Sequence, residues 1–174
     1  MTKKKAVPLY LFLILLDHGI KLIIHFHFME SYIPIIRPFF YFDPVLNTQY
    51  SWINSMFGLG LSRGFHIMIC FLVAGLVWLL QRHLSLSDER SVLTDLMFIF
   101  CYSSCTCALI DRIFWTGSLD FLAVKGLFIF DLKDIYIDLF IAALLIQNKK
   151  FRRRPFADTL KSLWRARQIG RAHV

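Results

Sequence analysis

The sequence predicts an all-α membrane protein of four transmembrane helices, with a short strand or hairpin and an amphipathic segment on its outer side. Three observations carry this expectation. Of 174 residues, 57% are hydrophobic and 18 are phenylalanine, too apolar for an ordinary soluble fold. The apolar residues gather in four blocks, 7–28, 64–80, 92–110 and 127–146. Each block is close to the roughly 17 to 25 residues that an α-helix needs to cross a bilayer. Basic residues, finally, cluster where cytoplasmic ends would carry them.

The first block follows Lys3, Lys4 and Lys5, as a secretory signal would. It runs on through Asp17 and Lys21 without a small-residue cleavage site, so it is read as a retained helix. Residues 29–63 form a long outer connection with Pro34, Pro38 and Pro44, a β-prone run over 35–42 and a turn at Asn47-Thr48. The following "YSWINSMFGLG" is read as an amphipathic piece with Trp52, Ile53, Met56 and Phe57 towards lipid. Spans two and three are joined by "QRHLSLSDER", where Ser87 or Asp88 is expected to cap the third helix. A second outer connection, 111–126, contains "TGSLDFL", with Asp120 held between Leu119 and Phe121, and the fourth block follows.

Most of the 20 Lys and Arg lie before span one, between spans two and three at Arg82 and Arg90, and in the tail from Lys149 to Arg171. Both termini are therefore expected in the cytoplasm. The net charge of +8 reflects that topology and contact with anionic membrane lipids, so nucleic acid is not expected as a partner. Residues 1–168 read as one domain and 169–174, "IGRAHV", as a translated sequencing-adapter artefact. Cys70, Cys101, Cys105 and Cys107 fall inside spans two and three and read as small packing residues, with no disulfide framework and no metal site.

Ionisable side chains inside a span cost a few kcal/mol each and need a reason. Asp17 and Lys21 stand four apart on one helix face and can pair. Asp111 and Arg112 are adjacent, about 100° apart on a helix, so they bridge to other partners rather than to each other. Asp131, Asp134 and Asp138 are spaced to share one face at the start of the fourth helix. Two carboxylates brought together at the low-dielectric edge of a membrane share a proton, which provides a base and an acid at once. That is the arrangement of aspartic proteases, and it requires no metal.

These stretches together resemble the lipoprotein signal peptidases, or signal peptidase II. "LDHGIK" is similar to the family's Asp-x-x-x-Lys, and "LNTQYSW" to its Asn-Thr-Gly-x-x-Phe-Ser. "LIDRIFWTGSLDF" is similar to its Asn-Leu-Ile-Asp-Arg followed by Val-Val-Asp-Phe, and "FDLKD" to its Phe-Asn-x-Ala-Asp. The resemblance implies four transmembrane helices with a small extracytoplasmic β-cradle in the bacterial cytoplasmic (inner) membrane. It implies an aspartic endopeptidase, acting as a monomer without cofactor, that cuts prolipoproteins before a cysteine carrying diacylglycerol. The implied catalytic pair is Asp120 and Asp134, with Asp17, Lys21, Asn47, Asp111 and Arg112 at positions that support or line the site and Asp131 beside the second aspartate; Trp52, with Met56 and Phe57, is read as part of a flap over the peptide.

The chain departs from the family pattern at several of these places. Cys107-Ala108 replaces Gly-Asn, Asp131 replaces Asn, Lys133 replaces a small residue, and Gln49 replaces Gly. The interval from Asp120 to Asp134 is also short for the family. Two further readings are thus carried beside the peptidase. One is an altered paralogue that binds prolipoprotein or lipid without cleaving. The other is a small proton pathway built on Asp17, Lys21 and the acidic face of helix four.

Overall fold

Among the residues that the computed structural model describes, 3–85 and 91–147, five helices and four strands follow one another. In chain order they are α1 (Lys3–His27), β1 (Ile33–Ile36), β2 (Phe40–Asn47), α2 (Trp52–Phe57), α3 (Arg63–Ser85), α4 (Val92–Phe114), β3 (Ser118–Val124), β4 (Phe128–Phe130) and α5 (Leu132–Ile146). Three of the helices, over Lys4–His27, Arg63–Leu84 and Val92–Phe114, are long and apolar enough to cross a membrane. Large apolar side chains such as Phe12, Leu15, Phe71 and Leu72 stand exposed along α1 and α3. In water such surface would drive aggregation, whereas in lipid it is the ordinary exterior.

Helix α4 is central and packs against α1, α3 and α5. Its Met97, Phe98, Cys101 and Cys105 meet Val77 and Leu84 of α3 and Phe140 and Ala143 of α5. Small residues at such seams let helices approach where no hydrophobic effect draws them together. Polar pairs tie the same seams. Tyr10 of α1 bonds Thr106 of α4 at 2.8 Å, and Thr94 donates to Gln147, just past α5, at 2.7 Å.

Two expected boundaries move. Ser91 caps α4, in place of Ser87 or Asp88, because it immediately precedes the first apolar residue and its Oγ accepts the Thr94 N–H at 3.1 Å. The fourth apolar block, 127–146, divides. Its first residues turn at Gly126, with φ +77°, and pair with β3 as β4, so α5 begins only at Leu132 and its described part is 15 residues. The loop at 86–90, the basic tail and the suspected artefact at 169–174 lie outside the described residues.

The four strands form one antiparallel sheet in the order β1-β2-β3-β4. A strand near 35–42 was expected from composition, while 118–124, read as a plain connection, becomes an inner strand of the sheet. Its partners Phe40 to Asn47 are far away in sequence, and local pattern alone does not reveal them. β2 carries a register irregularity between Phe42 and Val45, where Pro44 has no N–H for a ladder. Along β3 the side chains alternate. Leu119 and Phe121 pack with Ile24 at the end of α1, which leaves Ser118 and Asp120 for the opposite face. Helix α2 lies beside this sheet, capped by Ser51 and by left-handed Gly58, with Trp52, Ile53, Met56 and Phe57 exposed as anticipated.

Gly117 makes the turn from α4 into β3 at the closest approach of two chains. A Cβ there would stand 2.8 Å from the Asn47 carbonyl oxygen, nearer than any side-chain carbon tolerates. Gly117→Ala is therefore expected to force β2 and β3 apart at Asn47, at a loss of about 1 to 3 kcal/mol. Thermal unfolding in detergent micelles measures this, and an unchanged midpoint would show that the Asn47 backbone yields freely.

Candidate active site

The centre of the site is a lysine with no access to solvent. Lys21 on α1 is fully buried, and its ammonium lies 2.9 Å from Asp17, 2.8 Å from Asp111 of α4 and 2.7 Å from Asp131 at the head of α5. Its hydrogen bonds go to both Asp111 oxygens, whereas Asp17 meets it as an ion pair at an angle too poor for a hydrogen bond. Asp17 and Lys21 share a helix face by their spacing of four, so α1 delivers both charges together.

Asp131 is not on the face of α5, as its spacing to Asp134 and Asp138 led one to expect. It is the N-cap. Its carboxylate accepts the Asp134 N–H at 3.3 Å, and the Asp134 carboxylate accepts the Asp131 N–H at 3.2 Å, a reciprocal capping box. An aspartate prefers this place because it satisfies amides that a helix start leaves without partners. Burial pushes the Asp131 carboxyl up, but the ammoniums of Lys133 and Lys21 outweigh it and hold the carboxyl at about 2.

Lys133 follows two residues later, and its ammonium is the second node. It pairs with Asp131, donates to Ser118 Oγ at 2.6 Å, and stands 3.3 Å from Asp111 and 3.6 Å from Asp120. Asp120, on β3, accepts from Ser118 at 2.9 Å and from the Asn47 side-chain amide at 3.3 Å. Asn47 and Ser118 are directly opposite in the β2–β3 ladder, so the sheet presents all three polar groups on one face. Burial lifts the Asp120 carboxyl above the ordinary carboxylate range, against the pull of Lys133, Ser118 and Asn47.

Asp120, Asp131 and Asp134 each place a carboxylate oxygen within 4.8 Å of the others. Asp120 and Asp134 border a cavity of about 680 Å³, whose walls include Asn47, Trp52, Ala108, Phe128, Ile137 and Asp138. Trp52 packs edge-on against Phe128 with ring centres 6.0 Å apart, while Met56 and Phe57 are exposed and do not border the cavity. Asp138 is exposed on the cavity wall and belongs to neither lysine node.

Arg112 turns away from the carboxylates. Its guanidinium donates to the Ala108 carbonyl at 2.7 Å and to the Tyr50 carbonyl at 2.8 Å. Tyr50 has φ +62°, the left-handed region that non-glycine residues seldom adopt. Arg112 thus holds a strained turn, next to Gln49, against the bundle. The Gln49 N–H and carbonyl bond Asn47 and Asn54, which secures the approach to α2.

Sequence reasoning left three participants unassigned. Ser118 stands two residues before Asp120, the spacing that puts strand side chains on one face, and recognising β3 would have found it. His18 lies 3.9 Å from Asp17 and 4.0 Å from Asp111. His66, on α3, bonds Ser51 at 3.2 Å and the Ser62 carbonyl at 3.0 Å, and no local pattern foretells that pairing.

A family profile described as "Signal peptidase (SPase) II" matches residues 9–149. Two solved structures share the fold, each described as a bacterial membrane enzyme structure by the in meso method, at 2.3 Å and 1.9 Å resolution. The first has a TM-score of 0.66 and 16% identity, covering 88% of this chain and 94% of its own. The second has a TM-score of 0.64 and 13% identity, covering 83% and 92%. No curated protein sequence matches the chain.

Two outcomes follow from the charge arrangement. Lys21→Met leaves three buried carboxylates without their shared cation, so a loss of about 3 to 5 kcal/mol is expected in thermal or denaturant unfolding. Asp120 behaves oppositely. Its folded pKa is raised, so its ionisation opposes folding once pH rises above the unfolded value of about 3.9. Asp120→Asn should melt at or above the wild-type midpoint at pH 7, and the two midpoints should converge as pH falls below about 4. A lower midpoint for the variant at pH 7 would show that ionised Asp120 stabilises the fold.

Proposed function

The chain belongs to the signal peptidase II family, and from that premise we propose that it is an aspartic endopeptidase working with Asp120 and Asp134 as its catalytic pair. The protein is a membrane-embedded lipoprotein signal peptidase, a protease of the lipoprotein-processing class. The observation that carries the aspartic reading is the meeting of a buried and a half-buried carboxylate from distant elements, β3 and the first turn of α5, at the edge of one cavity.

The chemistry follows from their proximity. One carboxylate takes a proton from water while the water oxygen bonds to the scissile carbonyl carbon. Its protonated partner polarises the carbonyl oxygen. As the C–N bond breaks, the proton taken from water passes to the departing nitrogen, and the pair returns to its starting state. Five aspartates and two lysines share this neighbourhood, and Arg112 is occupied by backbone carbonyls. With that surplus of carboxylates, retention of one proton on the pair is the less costly state.

The substrate proposed is a prolipoprotein whose cysteine carries diacylglycerol. Apolar side chains dominate the cavity rim at Trp52, Ile53, Phe128 and Ile129, suited to a signal-peptide segment entering from lipid. Trp52 and Ile53 on the short α2 then cover the peptide, and Arg112 keeps that cover in place through Tyr50. The supporting roles of Asp17, Lys21, Asp111 and Asp131 are to fix the two halves of the site, while Asn47 orients Asp120.

For topology we propose α5 as a fourth crossing in the bacterial cytoplasmic membrane, with the sheet at the outer face and both termini in the cytoplasm. The basic residues before α1 and Arg82 near the end of α3 support that orientation. A single chain holds every residue of the proposed site, which supports action as a monomer.

The test is cleavage of a diacylglyceryl-modified prolipoprotein by purified protein in lipid. Asp120→Asn and Asp134→Asn should each lower the turnover rate by about 10² to 10⁴ with the fold retained. Wild-type-like cleavage by either variant would remove that residue from the pair.

A further inference from the structure

The catalytic scheme leaves one buried charge without a task. Lys133 sits between Asp131 and Asp134 in sequence, and its ammonium is a donor or cation in every contact it makes. It donates to Ser118 rather than accepting from it, so the two do not form a serine nucleophile with a lysine base. What the ammonium does is make the surroundings of Asp120 and Asp134 unequal.

Asp120 has the Ser118 hydroxyl at 2.9 Å, the Asn47 amide at 3.3 Å and the Lys133 ammonium at 3.6 Å. Asp134 accepts one backbone N–H, from Asp131 at 3.2 Å, and feels the Lys133 ammonium too, but without the ion-pair contact that Asp120 makes; its close neighbours are the carboxylates of Asp120 and Asp131. Donors and cations favour an ionised carboxyl, and neighbouring carboxylates favour a protonated one. Other charges do not reverse this inequality. Asp111 of α4 and Asp131 both stand by Lys133, and Lys21 of α1 is engaged by Asp17, Asp111 and Asp131.

We propose that Lys133 is a positioning residue that assigns the two roles: it keeps Asp120 as the carboxylate that receives the proton of the attacking water, and leaves the shared proton on Asp134. The assignment rests on the aspartic reading above. The water O–H bond breaks towards Asp120 as the new C–O bond forms, and the Asp134 proton is offered to the carbonyl oxygen. When the C–N bond breaks, the proton on Asp120 goes to nitrogen, and the proton shared with the oxygen returns to Asp134 as the C=O bond re-forms. Lys133 transfers nothing in either step.

The experiment is the pH profile of kcat/KM for wild type, Lys133→Met and Lys133→Arg on the same lipid-modified substrate. The acid limb of such a profile reports the essential base in the free enzyme. Without the cation Asp120 holds its proton more tightly, so the limb in Lys133→Met should move to higher pH, by about 1 to 3 units. Each unit is a tenfold loss at a pH on the limb, recovered at higher pH. Lys133→Arg should keep the limb near its wild-type position. An active Lys133→Met with an unmoved limb, or one faster than wild type throughout, would overturn the proposal.

If Lys133→Met alone does not fold, Lys133→Met combined with Asp131→Asn removes charge and counter-charge together. Because the ammonium, 3.6 Å away, acts on Asp120 more strongly than the Asp131 carboxylate does, the limb should still move upward, by less. A limb that stays or moves down overturns the assignment. The aspartic reading fails by a separate sign, retained cleavage in Asp120→Asn or Asp134→Asn, so the two failures are told apart.

Discussion

A lysine ammonium shared among three carboxylates deep in the bundle is the interaction on which the rest of this structure depends. Lys21 joins α1 to α4 through Asp111 and to the threshold of α5 through Asp131. Apolar side chains give little direction to helices surrounded by lipid, because a leucine is as content against an acyl chain as against another leucine. A buried charge has no such indifference. It specifies which faces meet and at what depth, and any arrangement that separates the partners leaves a charge stranded in a low-dielectric medium. The bundle is thus keyed by the same charge cluster that reaches Asp120 at the cavity through Lys133.

Much of this was legible in the sequence, and what was not has a physical cause. The first three spans were readable because lipid imposes length and composition on whatever crosses it. The pairing of Asp17 with Lys21 was readable because a helix repeats every 3.6 residues, and the separate partners of Asp111 and Arg112 followed from the same geometry. Strand β3 was obscure because its partner β2 lies across three helices, and neither Ser118 nor Leu119 says locally which strand it will meet. The start of α5 was misplaced for a related reason. Leu127 to Phe130 are as apolar as a span, and only pairing with β3 makes them a strand. The coverage of 9–149 by the family profile agrees with the short motifs, whereas identities of 16% and 13% to the solved structures show how little sequence the fold itself demands.

The replacements in the family motifs are absorbed differently from one another. Gln49 occupies the place of a glycine, yet the left-handed residue is its neighbour Tyr50, and Arg112 holds the carbonyl there. Ala108 sits where the family has an asparagine and borders the cavity as a bare wall, with its carbonyl bound to Arg112. Asp131 and Lys133 arrive as a pair. The aspartate alone would add a negative charge to a cluster already rich in them, and the lysine alone would add a buried cation. Together they keep the local charge unchanged while turning a neutral region into a polarised one.

The irregularity in β2 between Phe42 and Val45 bears on how such a site can change. Before it Phe42 faces Leu122, and after it Asn47 faces Ser118, so the strand gains one residue on its partner. In an unbroken ladder Asn47 would fall opposite Gly117, and its amide would join the side occupied by Leu119 and Phe121. Loss of one residue at Asp43 or Pro44 would remove that surplus and leave Asn47 opposite Ser118 in a regular ladder, so Asp120 would keep its amide. A second loss has no surplus to draw on and would turn the amide to the other face. The bend is a reserve of one residue of chain length: a lineage can give it up once without moving the amide, and no more than once.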